Sequence, residues 1–169
     1  MNIIRGRIWK LGENIDTDLL MPTSTYYGKL PREEMPRYCL QAVIPEFACT
    51  VKPGDIIVAG KNFGCGSSRP ATFNLIDLGV GCVVTESAGA IFFRNSISMG
   101  FPLIICSGIT DFFEDGQNGE VHLDEGIIVN LDSGREMKFE PYPSFLLEII
   151  HKGGVLSFFR NGKSISEGI

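Results

Sequence analysis

The chain has 169 residues, 44% apolar and 21% charged, which suits one globular domain over 1–169 and leaves little for a second. A net charge of −5 without any basic run excludes nucleic acid as the main partner. No apolar stretch approaches the roughly 20 residues that span a bilayer, and MNIIRGRIWKLG carries arginine and lysine where a secretory leader would be apolar, so a cytoplasmic protein with no membrane contact is expected.

The elements follow in chain order. IIRGRIW (3–9) alternates as a first strand. Asn14, Asp16, Thr17 and Asp18 are turn and cap formers, and Pro22 closes that segment. Residues 22–31 read as a mobile loop of the kind that carries function, with a short helix over about 32–42. PGDIIVAG (53–60) is a turn leading into a continuous apolar run, the pattern of a strand buried on both faces. A glycine- and serine-rich loop follows, then a helix over about 70–78 ended by Gly79. VGCVVTES (80–87) is a second buried strand, AGAIFFRNSISMG (88–100) a helix capped by Gly100, and FPLIICSG (101–108) a third strand. Strand and helix alternating at this spacing imply right-handed crossovers and a parallel core, an α/β fold with helices packed on the sheet.

The last third changes character. EVHLDEGIIVNLDSGREMKFEP alternates around the turn DSG at 132–134, an antiparallel hairpin that makes the sheet mixed. PSFLLEIIHKGG is an amphipathic helix started at Pro143-Ser144 and stopped at Gly153-Gly154, and VLSFFRNG a final short helix with a loose tail. The five cysteines, at 39, 49, 65, 82 and 106, include no C-x-x-C pair. Neither a disulfide framework nor a metal site built by this chain alone is expected. His122 and His151 each sit inside a regular element and read as structural or surface residues.

KNFGCGSSRP (61–70) is the stretch that points to chemistry. In an open α/β sheet ligands bind at the carboxyl ends of the strands, where this loop falls. Gly64 and Gly66 allow unusual backbone angles and close approach to a ligand. Pro70 suits the first helical position, which would put Ser68 or Arg69 near the N-cap, where outward-pointing amides attract anions. Arg69 adds a planar fork that matches a carboxylate. A plainer reading stays open, with one serine capping the helix and Arg69 solvated. There is no G-K-[ST], so this is not a nucleotide phosphate loop.

GDIIVAGKNFGCGSSR, with NIDTDLLMP before it and FFRNSISMGFPLII after it, resembles the small subunit of 3-isopropylmalate dehydratase, the aconitase swivel-domain family. The likeness runs from GRIWKLGENIDTD to LLEIIHKGGVL. It implies a swivelling β/β/α domain and a hydro-lyase that removes water from a branched 2-hydroxy dicarboxylate and restores it on the neighbouring carbon. It also implies a large-subunit partner whose cysteines hold a [4Fe-4S] cluster, with no metal on this chain. The isolated small subunit is left free to form a homo-oligomer. By the family pattern Ser67 is the base, and Ser68 and Arg69 contact substrate; Gly66 is expected to bind it through close approach of its backbone. A serine can act so only where preorganised donors stabilise its alkoxide. The DTD carboxylates at 16–18 are expected to brace loops, and Arg94 and Asn95 to be structural or at the subunit interface.

Three departures from the family pattern bear on substrate. Pro70 stands where relatives carry glutamate, Ala90 where they carry arginine, and no arginine lies between Asp16 and Arg32. That last absence argues against a third substrate carboxylate. Thr23, Ser24, Thr25 and Tyr26, with Tyr27, offer hydroxyls and aromatic surface suited to a short alkyl group. Isopropylmalate, hence leucine biosynthesis, is the expected substrate. A 2,3-dimethylmalate or citramalate-type acid is the alternative within the class, and a non-catalytic carboxylate-binding paralogue the alternative outside it.

Overall fold

Ile3–Lys10 (β1) is the longest strand, and the rest of the sheet grows from both of its edges. The computed structural model describes residues 3–28, 30–66 and 69–161. On one side Ile56–Ala59 (β2), Cys82–Thr85 (β3) and Leu103–Ile105 (β4) follow in parallel, with Ile8 beside Ile56, Ile56 beside Cys82 and Val83 beside Leu103. On the other side Asn118–His122 (β5), Ile127–Asn130 (β6) and Arg135–Lys138 (β7) add antiparallel. The order across the seven strands is β4-β3-β2-β1-β5-β6-β7, the mixed sheet with a parallel core that the strand pattern implies.

The apolar runs of β2 and β3 are buried at every position because both faces are covered. Ile57, Ala59 and Val83 face one core with Trp9, Phe63, Leu75 and Phe92. Ile56, Val58, Cys82 and Val84 face the other with Ile8, Ile109, Phe113 and Val121. A fully buried aliphatic or aromatic side chain contributes about 1.5–3 kcal/mol, so these strands anchor the fold. Below them Asp55, 4% exposed, accepts hydrogen bonds from Trp9 Nε1 at 2.9 Å and from the amides of Arg7 and Lys52 at 3.1 and 2.9 Å. The carboxylate thus ties β1 to the turn before β2.

The helical segments are Thr17–Leu20 (α1), Thr23–Tyr27 (α2), Phe47–Thr50 (α3), Thr72–Asp77 (α4), Ala90–Ser98 (α5), Ile109–Phe112 (α6), Ser144–His151 (α7) and Val155–Asn161 (α8). Arg32–Tyr38 is a 3₁₀ helix, shorter than expected, with Pro36 inside it and Leu40 turned to φ +58 just beyond. Four expectations are corrected. Residues 23–27 form a helix rather than a mobile coil. Single turns at α3 and α6 escaped the periodic pattern because four residues are too few to show it. The alternating last third holds two hairpins, β5–β6 as well as β6–β7 through the DSG turn. The helix after the glycine loop starts at Thr72, not at Pro70. The tail 162–169 lies outside the described residues. Among the described residues no helix is long and apolar enough to cross a membrane.

Candidate active site

The loops leaving the carboxyl ends of β1, β2 and β3 are stitched side by side. Gly64 donates its amide to Ile15 O at 2.7 Å, and Thr17 donates to Cys65 O at 2.9 Å. On the other flank Phe63 donates to Ser87 O at 3.0 Å and Gly89 to Phe63 O at 2.8 Å. The segment 63–65 therefore continues the sheet order above β2, held between the other two loops. Gly64 has φ +69 and lies so close to Phe92 that a Cβ would sit 2.2 Å from its ring. Gly66 has φ +100 and is exposed at the end of this held segment.

Arg69 emerges from that loop and turns inward, its side chain 7% exposed. Pro70 does not open the helix. Its carbonyl accepts from the Phe73 amide at 3.0 Å in a turn, and Ala71 occupies the cap position without a side-chain cap. The anion-attracting helix amides expected beside Ser68 and Arg69 therefore begin further along the chain, and what Arg69 meets instead is the segment after β1. Its Nη2 lies 2.8 Å from Asp18 Oδ1 and 3.5 Å from Thr17 Oγ1, and its Nη1 donates to Thr23 Oγ1 at 2.6 Å. The Thr23 hydroxyl donates to Asp18 Oδ1, and the Thr23 amide donates to the same oxygen at 2.9 Å. The Thr23 hydroxyl bond above all, with the amide bond and the Arg69 charge behind it, holds the Asp18 carboxyl below its ordinary value against the opposing cost of burial. Asp16 caps α1 by accepting from Leu19 N at 2.9 Å.

The candidate contact residues separate as follows. Ser67 and Ser68 lie outside the described residues. Gly66, Ser24 and Tyr26 are exposed, Tyr26 meeting Tyr27 edge-on at 5.1 Å. Thr25 is turned inward, 3% exposed, with its hydroxyl donating to Pro22 O at 2.7 Å. Thr23 is committed to Asp18 and Arg69. Two residues gained importance that the sequence did not signal. The tie of Asp18 to Arg69 was invisible, although DTD was legible as a bracing motif. Asn74, a lone amide within an apolar helix, bolts α4 to α1 by donating from Nδ2 to Leu20 O at 2.9 Å.

All five cysteines, each a described residue, are free thiols. Burial pushes the thiols of Cys39 and Cys82 upward, and burial with the nearby Glu86 charge does the same to Cys106. Thiolates are what bind metal, and among the described residues no three His, Cys, Asp or Glu side chains converge on one point. Next to the loop lies a cavity of about 390 Å³ lined by Ser87, Ala88, Ala90, Phe93, Arg94 and Ile105. It is apolar apart from Ser87 and Arg94, and Arg69 is not among its lining residues.

Comparison with known proteins agrees with this architecture. Residues 14–106 match the aconitase C-terminal domain. The chain is 46% identical over 169 residues to the 3-isopropylmalate dehydratase small subunit 1 of Methanopyrus kandleri, covering 99% of each. It is 42% identical over 167 residues to the isopropylmalate/citramalate isomerase small subunit of Methanocaldococcus jannaschii, covering 98% of this chain and 99% of that one. The crystal structure of 3-isopropylmalate dehydratase from the latter organism matches with a TM-score of 0.89 at 36% identity, over 97% of both chains. With its strand-end loops, its buried Arg69 and these likenesses over nearly its full length, the chain belongs to the aconitase C-terminal domain family, among the 3-isopropylmalate dehydratase small subunits.

Proposed function

We propose that this chain, folded as one domain over 1–169, is the small subunit of a cytoplasmic hydro-lyase that interconverts 3-isopropylmalate and 2-isopropylmalate in leucine biosynthesis. The family is that of a hydro-lyase acting with a large subunit. The large subunit would hold a [4Fe-4S] cluster, which when bound supplies a Lewis acid for the departing hydroxyl.

The observation that carries this reading is the buried guanidinium of Arg69 at the carboxyl ends of the parallel strands. A cation taken out of water binds a carboxylate far more strongly than an exposed one, and its fork fixes the orientation of that carboxylate. Beside it the reading assigns Ser67 as the base that takes the carbon-bound proton, with Ser68 and Gly66 in contact with substrate. Ser24 and Tyr26, exposed on α2, face the alkyl end, Thr25 holds that wall from behind, and Thr23, also exposed, ties it to Arg69.

A second reading is favoured by one relative. The Methanocaldococcus jannaschii protein is named for both isopropylmalate and citramalate, so a smaller alkyl group is the alternative within the class. The test is anaerobic reconstitution with the cognate large subunit, offering isopropylmaleate, dimethylmaleate and citraconate side by side. Turnover of isopropylmaleate, reduced by about 10²-fold or more in Ser67→Ala, is the expected result. Preference for citraconate would install the second reading. No turnover of any acid by a cluster-loaded complex would overturn both and leave a carboxylate-binding paralogue.

A further inference from the structure

We propose that Asp18 and Thr23 are positioning residues for Arg69, and that through them helix α2 and the carboxylate-gripping guanidinium form one mechanical unit. The inference rests on Arg69 being the substrate clamp.

The geometry is specific. A guanidinium has five donors in a rigid plane, and here both of its outer nitrogens are held from one direction. Nη1 meets Thr23 Oγ1 at 2.6 Å and Nη2 meets Asp18 Oδ1 at 2.8 Å. Asp18 Oδ1 receives in turn the hydroxyl and the amide of Thr23. Three groups thus close a ring through one carboxylate oxygen and one hydroxyl. The hydroxyl uses both of its capacities, donating to Asp18 and accepting from Arg69. Among the described residues Arg69 Nε has no partner, although it is buried. The orientation of the fork therefore depends on this ring, with only the longer contact of Nη2 to Thr17 Oγ1 at 3.5 Å beside it.

Fold stability is only part of what the arrangement serves. Arg69 is buried at 7% exposure while Asp18 is 56% exposed, so the pair also keeps a buried guanidinium from standing unpaired. Asp16, two residues earlier, already caps α1. What the ring supplies beyond that is orientation. An arginine side chain carries about 2 kcal/mol of rotamer entropy, and restricting it before substrate arrives removes part of that cost from binding. Thr23 is also the first residue of α2, which carries Ser24, Tyr26 and Tyr27. The face that meets the variable end of the substrate is thereby tied to the group that grips its constant end.

Two measurements test this. The first uses the isolated full-length chain. The Arg69 Nε–H resonance should exchange slowly with water in the wild type, and shift toward the free-arginine position with fast exchange in Asp18→Ala and Thr23→Val. Thr23→Ser, which restores the hydroxyl, should keep the wild-type signal. An Nε–H resonance unchanged in Asp18→Ala overturns the proposal whatever the enzyme does. The second uses the reconstituted complex. Asp18→Ala and Thr23→Val should each raise KM for isopropylmaleate by about 10-fold, with kcat changed less. Neither should raise KM further in an Arg69→Ala background, because both act through the same guanidinium. If Arg69→Ala leaves KM unaltered, the clamp assignment itself fails. If Arg69→Ala raises KM and Asp18→Ala does not, the clamp stands and only the present inference falls.

Discussion

Replacing Gly64 with alanine tests how the site loop is built, because two separable penalties fall on one methyl group. Gly64 has φ +69, a left-handed angle that costs an L-residue about 1–2 kcal/mol. The new Cβ would also lie 2.2 Å from Phe92 Cγ and 2.3 Å from Cδ1, where carbons need about 3.5–4.0 Å. Phe92 cannot swing into solvent: it is 3% exposed and packs edge-on against the fully buried Phe63 at 5.7 Å. Forcing extra volume into such a core costs about 1–3 kcal/mol. Together the loss should be about 2–5 kcal/mol, a large share of the roughly 5–15 kcal/mol that a domain possesses. Gly134 provides the control, since it has the same φ of +69 with nothing within 4 Å of a Cβ. Gly134→Ala should show the backbone penalty alone. Urea unfolding followed by the fluorescence of Trp9, the single buried tryptophan, measures both variants. Adding Phe92→Leu to Gly64→Ala should recover part of the loss. A Gly64→Ala protein no less stable than Gly134→Ala would refute the claim that Phe92 is locked against the loop.

Asp55→Ala strands three donors, Trp9 Nε1 and the amides of Arg7 and Lys52, and should cost about 3 kcal/mol or more in the same urea assay. Asn74→Ala removes the bolt from α4 to Leu20 O and should cost about 1–3 kcal/mol, with a drop in thermal midpoint of a few degrees. Alkaline pH offers a further test through Cys39 and Cys82, whose thiols burial pushes upward. The folded chain keeps protons that the unfolded chain gives up. Stability is therefore full below the unfolded thiol value near pH 8.5 and falls as pH rises above it, by up to about 1.4 kcal/mol per pH unit for each thiol. A Cys39→Ala, Cys82→Ala double variant should start less stable and show a flatter decline between about pH 8.5 and 10; an unchanged slope would refute the assignment.

The parts of this molecule that were legible in the sequence are those written in neighbouring residues. IIVA and CVVT read as strands buried on both faces because apolar side chains at every position suit no half-exposed strand, and both are buried throughout. Gly100 ends α5 at φ +75 as its place after the apolar pattern implied. The loop 61–66 fell at the strand ends because a strand–loop–helix order admits no other place for it. Errors came where local signals were short or competed. Pro70 is a good first helical residue, yet the chain turns there to carry Arg69 inward and the helix waits until Thr72. The polar, aromatic stretch 23–27 looked irregular, but a five-residue helix needs only a stop and a partner. Arg69 donating to Thr23 provides that partner.

The sequence by itself determined the buried strands and the longer helices, the parallel direction of the core, the position of the glycine loop and the family signature, since each is written in periodicity, spacing or motif within a few dozen residues. Only the tertiary structure decided that β5 would return to the free edge of β1 and make it an inner strand. It alone decided that Arg69 would find its partner in Thr23, 46 residues away. Strand pairing and ion pairing across such separations are set by which ends of the sheet meet in space, and the pattern of adjacent residues carries no record of that meeting.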